Sequence, residues 1–303
     1  MRDINPELTA FAEMFPPLDL EKDALDQTRA MIASFTPKPL DPQPEEIFVQ
    51  SFADSKHQVR VLKYSTGNNK PGPVMIQFHG GGFVLGAAED SHYHNHLVSS
   101  KLGITVFAVD YRLAPEHPYP AAMEDGYSVV SWVASNAVEL GVDPDKVIIS
   151  GESAGGGIAA SLAHYLGNET DITVKSLQLI YPMLDPGTGQ SDSGPTKLPV
   201  WNAEYNRMAW DMYAPNGIEN ICPLLPIDAK NLMHFPSTSI YVGTADLFYE
   251  ENMRFSKALK NSKVETQTHT YTGGVHGFPM AIGTQISEAF WDDYLKDIEA
   301  HLA

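Results

Sequence analysis

The chain has 303 residues, 43% of them hydrophobic, with 38 acidic against 20 basic side chains and a formal charge of −18. That length suits one large α/β domain or two small ones with a sizeable core, and so acidic a composition argues against nucleic acid and anionic membrane as partners. No stretch reaches the roughly 20 apolar residues that span a bilayer, the opening MRDINPELTAF lacks the apolar run of a secretory leader, and the single cysteine, Cys222, allows no intrachain disulfide, so a cytoplasmic location is expected.

Residues 1–45 do not read as sheet. Leu8, Phe11, Ala12 and Phe15 recur at helical spacing, as do Leu25, Thr28, Ile32 and Phe35. Pro16-Pro17 ends the first helix, Asp19 is placed to cap the second, and the prolines of residues 36–44 mark a connector. Such a helical pair could be decoration, a dimer surface or part of a lid. Residues 46–52 and 57–64 alternate in polarity as a hairpin at a sheet edge would. Further strands are predicted at 74–78, 104–109, 147–149, 177–181, 239–242 and 266–271, with helices over 91–102, 121–140, 154–166, 252–259 and 286–302. Repeated β-α units after an antiparallel pair predict a mostly parallel, eight-stranded, doubly wound sheet. Residues 185–199 are rich in Gly, Ser, Pro and Asp and read as a loop, leading into an aromatic stretch with Trp201, Tyr205, Trp210 and Tyr213. Cys222 is expected to be an inert, partly buried thiol.

The chemistry gathers at turns after strands. Gly151-Glu152-Ser153-Ala154-Gly155 follows the β-branched run Val147-Ile148-Ile149 and precedes a small-residue helix, the G-x-S-x-G nucleophile elbow in its expected context. Side chains at 151 or 155 would collide with neighbouring backbone, and the first turn of the next helix offers free N–H groups to an oxyanion. A serine nucleophile needs a base and an acid, expected in the order serine, acid, histidine. Asp246 follows the strand SIYV and His276 follows the last strand, both at the same sheet edge. His79-Gly80-Gly81-Gly82-Phe83 follows VMIQF and presents bare amides, matching neither G-x-G-x-x-G nor a Walker pattern. His92 and His96 fall one turn apart, but no H-E-x-x-H carboxylate accompanies them, so a solvated helix start is expected rather than a metal site.

HGGGF, the run DYRLAPEHPYPAA at 110–122, GESAGG at 151–156, Asp246 and His276-Gly277-Phe278 together resemble the hormone-sensitive-lipase-like (bacterial family IV) carboxylesterases of the α/β-hydrolase fold, from about residue 6 to the C-terminus. The resemblance implies a Ser153-His276-Asp246 triad and an oxyanion hole from the amides of Gly81, Gly82 and Ala154. It implies no cofactor, no metal and a small-molecule ester as substrate. It makes the DYRLAPE loop, with Arg112 and Glu116, a hydrogen-bonded brace. It divides the chain into a core (46–185 and 221–303) and a helical cap (1–45 and 186–220), whose Phe15, Trp201, Trp210 and Tyr213 would contact substrate together with Phe83. Glu152 departs from the Asp or Thr common at that position, and Leu-Phe-Tyr-Glu-Glu after Asp246 departs from Pro-Leu-x-Asp-Glu. The activity implied is hydrolysis of short- to medium-chain acyl esters. Deacetylation of sugars or amides is an alternative, as is a non-catalytic receptor of the same fold, which the presence of His276 opposes. A homodimer is a further expectation.

Overall fold

The structure, a computed structural model, describes residues 3–67, 71–189, 198–217 and 231–303, so Cys222 lies outside the described residues. The N-terminal stretch forms a 3-10 turn at Pro6–Leu8, then α1 (Thr9–Met14) and α2 (Leu25–Ala33). Asp19 does not cap α2. Its carboxylate accepts the Glu21 amide at 3.1 Å, and α2 begins only after Ala24, because a turn closed by Ala24 N–H to Glu21 C=O intervenes.

Among the described residues eight strands form one sheet in the order β1-β2-β4-β3-β5-β6-β7-β8. These are β1 (Glu45–Gln50), β2 (Gln58–Tyr64), β3 (Gly72–Phe78), β4 (Thr105–Asp110), β5 (Val142–Glu152), β6 (Val174–Ile180), β7 (Ser237–Gly243) and β8 (Thr266–Tyr271). β2 runs antiparallel to both β1 and β4, and every other pairing is parallel. The hairpin therefore sits at the edge, as its alternating sequence predicts. The central strands are buried on both faces, which is why VMIQF and VII read as continuous runs. Val74, Ile76, Phe78, Val147 and Ile149 join the core on one side, Met75 and Ile148 that on the other. Each such side chain contributes about 1.5–3 kcal/mol when fully buried.

The remaining helices are α3 (His92–Leu102), α4 (Ala121–Ser135), α5 (Ala137–Leu140), α6 (Ala154–Glu169), α7 (Ala203–Tyr213), α8 (Tyr249–Asn261) and α9 (Gln285–Leu302). None in the described residues is long and apolar enough to cross a membrane. The single helix predicted over 121–140 is divided at Asn136, whose side-chain amide donates to the Trp132 carbonyl at 2.8 Å and competes with the helical ladder. The predicted solvated start of α3 is also corrected. His92 and His94 are buried, because this helix lies on the sheet with its first turn facing inward: His92 Nδ1 meets the Tyr64 hydroxyl, and His94 meets Glu152 and Tyr294.

The two stretches outside the β-α rhythm touch each other and the C-terminal edge of the sheet. The Leu18 amide donates to the Tyr205 hydroxyl on α7 at 3.0 Å, and Asn5 N–H donates to the Gly273 carbonyl at 2.9 Å. A methyl group on Gly277 would find Phe11 and Val200 within 4 Å.

Candidate active site

Four turns converge beyond the C-terminal ends of β3, β5, β7 and β8. At the end of β5, Gly151 lets the chain turn so sharply that an added Cβ would lie 2.2 Å from the Gly155 carbonyl oxygen, and one on Gly155 would lie 2.3 Å from that of His79. Only glycine fits at either place. Ser153 between them takes φ 53° and ψ −117°, a conformation costing an L-residue on the order of 1–3 kcal/mol. It is locked by its own N–H on the Ile180 carbonyl and its carbonyl on the Met183 amide, both at 2.9 Å.

This turn aims Ser153 Oγ at His276 Nε2, 2.9 Å away, and Nδ1 of the same ring stands 2.8 Å from Asp246 Oδ2. Asp246 Oδ1 accepts the Phe248 amide at 2.8 Å, which orients the carboxylate. Asp246 is fully buried, and Ser153 and His276 are only 4% and 7% exposed, so the chain of hydrogen bonds is shielded from competing water. The Tyr181 ring lies 4.5 Å from the imidazole and the Phe248 ring 5.3 Å from it, centroid to centroid. In such a line the carboxylate accepts from Nδ1–H and leaves Nε2 to accept the serine hydroxyl.

The turn after β3 brings Gly81 and Gly82 to the same edge. Among the described residues the amides of Gly81, Gly82 and Ala154, the last being the first residue of α6, have no backbone acceptor. The loop is fixed from several sides. The Tyr111 hydroxyl donates to the His79 carbonyl at 2.9 Å, and its ring stacks on the His79 imidazole at 4.2 Å. The Ala114 amide donates to the Phe83 carbonyl at 2.9 Å. Arg112 is tied to buried Asp125 through its amide and its guanidinium, and Glu116 is tied to Arg29 of α2, whose guanidinium holds that carboxyl well below its usual range, at about 2. Arg112 and Glu116 of the DYRLAPE loop are thus occupied as a brace, as expected.

The five predicted substrate contacts are placed unequally. The Trp201 ring lies over Gly82, where an added Cβ would approach it to 2.2 Å. Phe83 is stacked on Tyr213 at 3.9 Å and meets Trp210 edge-on at 5.0 Å, so these three buried rings form one knot behind the glycine loop. Phe15 is half-buried and packs edge-on against Phe11 at 5.0 Å. The Phe11 ring approaches the His276-Gly277 turn.

The family model for the alpha/beta hydrolase fold matches residues 75–280, more than half of the chain. The chain belongs to the α/β-hydrolase fold family, in its hormone-sensitive-lipase-like branch. It is similar to the esterase LipI of Mycobacterium tuberculosis, 33% identical over 218 residues, a match taking in 68% of this chain and 65% of that protein. The arylesterase of Saccharolobus solfataricus is 26% identical over 290 residues, 91% of this chain and 92% of the relative. Among solved structures a bacterial heroin esterase superposes with a TM-score of 0.92 at 26% identity, covering 99% of this chain and 98% of that one.

Within this hydrolase fold, Tyr181 and Glu251 have no signature of their own in the sequence, and Glu152 stands out there only as a departure from the resemblance. Tyr181 follows β6 directly, with φ 36°. Its place after a strand puts it at the same edge as Ser153, the one signal that could have found it. Glu152 gathers the Ser91 hydroxyl, His94 Nδ1 and the Tyr181 hydroxyl. Burial pushes its carboxyl up, but the bonds from His94 and Ser91 outweigh this and hold it below the usual range. Buried Glu251 on α8 accepts the Leu184 amide at 2.7 Å and the Thr188 hydroxyl, and burial pushes it up to about 8.

Proposed function

We propose that the chain is a cofactor-independent carboxylesterase acting in the cytoplasm on short- to medium-chain acyl esters. The observation that carries this reading is the unbroken line Ser153 Oγ, His276 Nε2, His276 Nδ1, Asp246 Oδ2, with both gaps at hydrogen-bond length. In this reading Ser153 attacks the ester carbonyl while His276 takes its proton. Asp246 fixes the imidazole tautomer and stabilises the imidazolium. The tetrahedral oxyanion is received by the amides of Gly81, Gly82 and Ala154. His276 returns the proton to the leaving alcohol, and water activated by the same ring then releases the acid. The names of the relatives, esterases and arylesterase, support the reaction class.

Of the stretches 1–45 and 186–220, the described residues 3–45, 186–189 and 198–217 are proposed to cap this site, supported by the Leu18–Tyr205 bond and by the approach of Trp201 to Gly82. Each added methylene gains about 0.8 kcal/mol only while it finds apolar wall. In this reading Trp201 over the glycine loop and Phe15 beside Phe11 end the acyl site early, with Phe83, Trp210 and Tyr213 packed behind the loop, and short chains are favoured over long ones.

The test is a rate panel over p-nitrophenyl esters of increasing acyl length, with acetylated sugars alongside, for the wild type and Ser153→Ala. The variant is expected to lose several orders of magnitude in kcat, with only the oxyanion hole and binding left to act. A wild type inactive on every member, yet binding small molecules, would establish the receptor reading instead.

A further inference from the structure

We propose that Glu152 is a positioning residue for the histidine base: through Tyr181 it fixes the ring against which the His276 imidazole rests. The inference rests on the triad reading above.

A single hydrogen bond to Asp246 aligns the imidazole but leaves it free to tilt about the Nδ1–Oδ2 direction. Packing has to remove that freedom. Phe248 meets the imidazole edge-on, and Tyr181 meets it at 4.5 Å with the planes inclined at 56°. Phe248 belongs to the turn that carries Asp246, so it moves with the acid. Tyr181 does not, and it needs an anchor of its own. Its backbone amide is held by the Tyr241 carbonyl at 2.7 Å, and its hydroxyl is directed to Glu152 Oε2 at 3.5 Å.

The carboxylate that receives this hydroxyl is itself immobilised. Oε1 accepts from His94 Nδ1 at 3.1 Å, the Ser91 hydroxyl at 3.2 Å and Gln77 Nε2 at 3.4 Å. With Oε1 so occupied, Oε2 is left for Tyr181. His94 is fixed in turn by the Tyr294 hydroxyl at 2.9 Å, and that hydroxyl lies 2.8 Å from Ser150 Oγ on β5. The network thus runs from α9 and α3 through β5 to the residue beside the nucleophile. A carboxylate only 19% exposed and held by four donors is costly to desolvate unless its charge is used or fully paired. Here no Arg or Lys pairs with it among the described residues.

One effect follows: losing the Glu152–Tyr181 contact lets the tyrosine ring shift and the imidazole tilt away from Ser153. The groups facing Glu152 are His94, Ser91, Gln77 and Tyr181, with His79 and Tyr111 beyond them, and those facing His276 are Asp246, Ser153, Tyr181 and Phe248.

The experiment compares Glu152→Gln, Glu152→Asp and Tyr181→Phe with wild type, measuring kcat and KM on p-nitrophenyl butanoate from pH 5 to 9 together with Tm. Glu152→Gln should lower kcat about ten-fold, the size of one charge-assisted hydrogen bond, with KM little changed at every pH. Tyr181→Phe should lower kcat in the same way, and Glu152→Asp should restore part of kcat. A Glu152→Gln enzyme with a lower Tm but wild-type kcat would overturn the proposal. Should that variant not fold, an unchanged kcat in Tyr181→Phe would overturn it equally. Activity surviving in Ser153→Ala would instead indict the triad reading, so the two failures are distinguishable.

Discussion

His276 has both ring nitrogens committed, so the group on Nδ1 decides what Nε2 can do. With Asp246 Oδ2 at 2.8 Å, Nδ1 must carry the proton and Nε2 is free to accept from Ser153. Asp246→Asn keeps the size of the side chain but can turn an N–H toward Nδ1, favouring the wrong tautomer. It should lower kcat by about 10³–10⁴-fold, the loss seen when a triad acid is replaced in this way, with little change in Tm. Stopped assays over a long time course would measure this, and a loss below ten-fold would contradict the assignment. The three residues of this line were legible because each lies in a local signature directly after a strand. Glu152 was legible as an oddity only. Its partners Ser91, His94 and Tyr181 come from other elements, and no spacing in the chain announces that the first turn of α3 faces inward beneath the elbow.

At the scale of elements, α2 is joined to the glycine loop by one side chain. Arg29 Nε donates to the Val84 carbonyl and Nη2 to the Ala114 carbonyl, both at 2.9 Å, while Glu116 takes a bidentate pair. Glu116 is half exposed, so the ion pair alone contributes at most about 1 kcal/mol. The fork to two loop carbonyls is the part that fixes geometry. Arg29→Lys keeps the charge but has three donors on a single nitrogen, where the planar fork makes four bonds from three nitrogens. It should therefore reduce kcat/KM nearly as much as Arg29→Met, whereas Glu116→Gln should do little. Hydrogen exchange at residues 81–85 should rise in both arginine variants. A lysine variant indistinguishable from wild type would show that only charge matters. Strands with a strong apolar pattern, such as β3 and β4, fold where that pattern predicts them. β5 extends beyond the predicted 147–149 because its first half, Val142-Asp143-Pro144-Asp145-Lys146, is polar and pairs irregularly with β3 before the register shifts. The link from α2 to the loop was invisible, since Arg29 and Glu116 are 87 residues apart.

Across the whole molecule, the packing of α9 on β8 sets a pH window. His269 lies 2.9 Å from Asp297 and 3.4 Å from Asp293, one carboxylate for each ring nitrogen, an arrangement that calls for the protonated ring. The bond to Asp297 raises His269 above its ordinary 6.5 despite partial burial. Burial pushes Asp297 up, but bonds from His269 and Tyr241 outweigh it and hold the carboxyl below its ordinary 3.8. The histidine's contribution is complete below 6.5 and is lost as pH rises through its raised value. That of Asp297 is complete above 3.8 and is lost as pH falls through its lowered value. The Tm deficit of His269→Gln should therefore be largest between these limits and shrink toward alkaline pH, as scanning calorimetry in a pH series would show. A deficit independent of pH would mean that the ring contributes only by packing.

In the proposed mechanism one serine in this chain is activated to form a covalent acyl-enzyme, and stoichiometric labelling reads out that activation. An organophosphate ester should add once per chain, with peptide mapping by tandem mass spectrometry placing the adduct on Ser153. Hydrolysis of p-nitrophenyl butanoate should fall in proportion to the fraction labelled, and Ser153→Ala should take up no label. An adduct on another residue, or full labelling of Ser153 with undiminished hydrolysis, would mean that Ser153 is not the nucleophile.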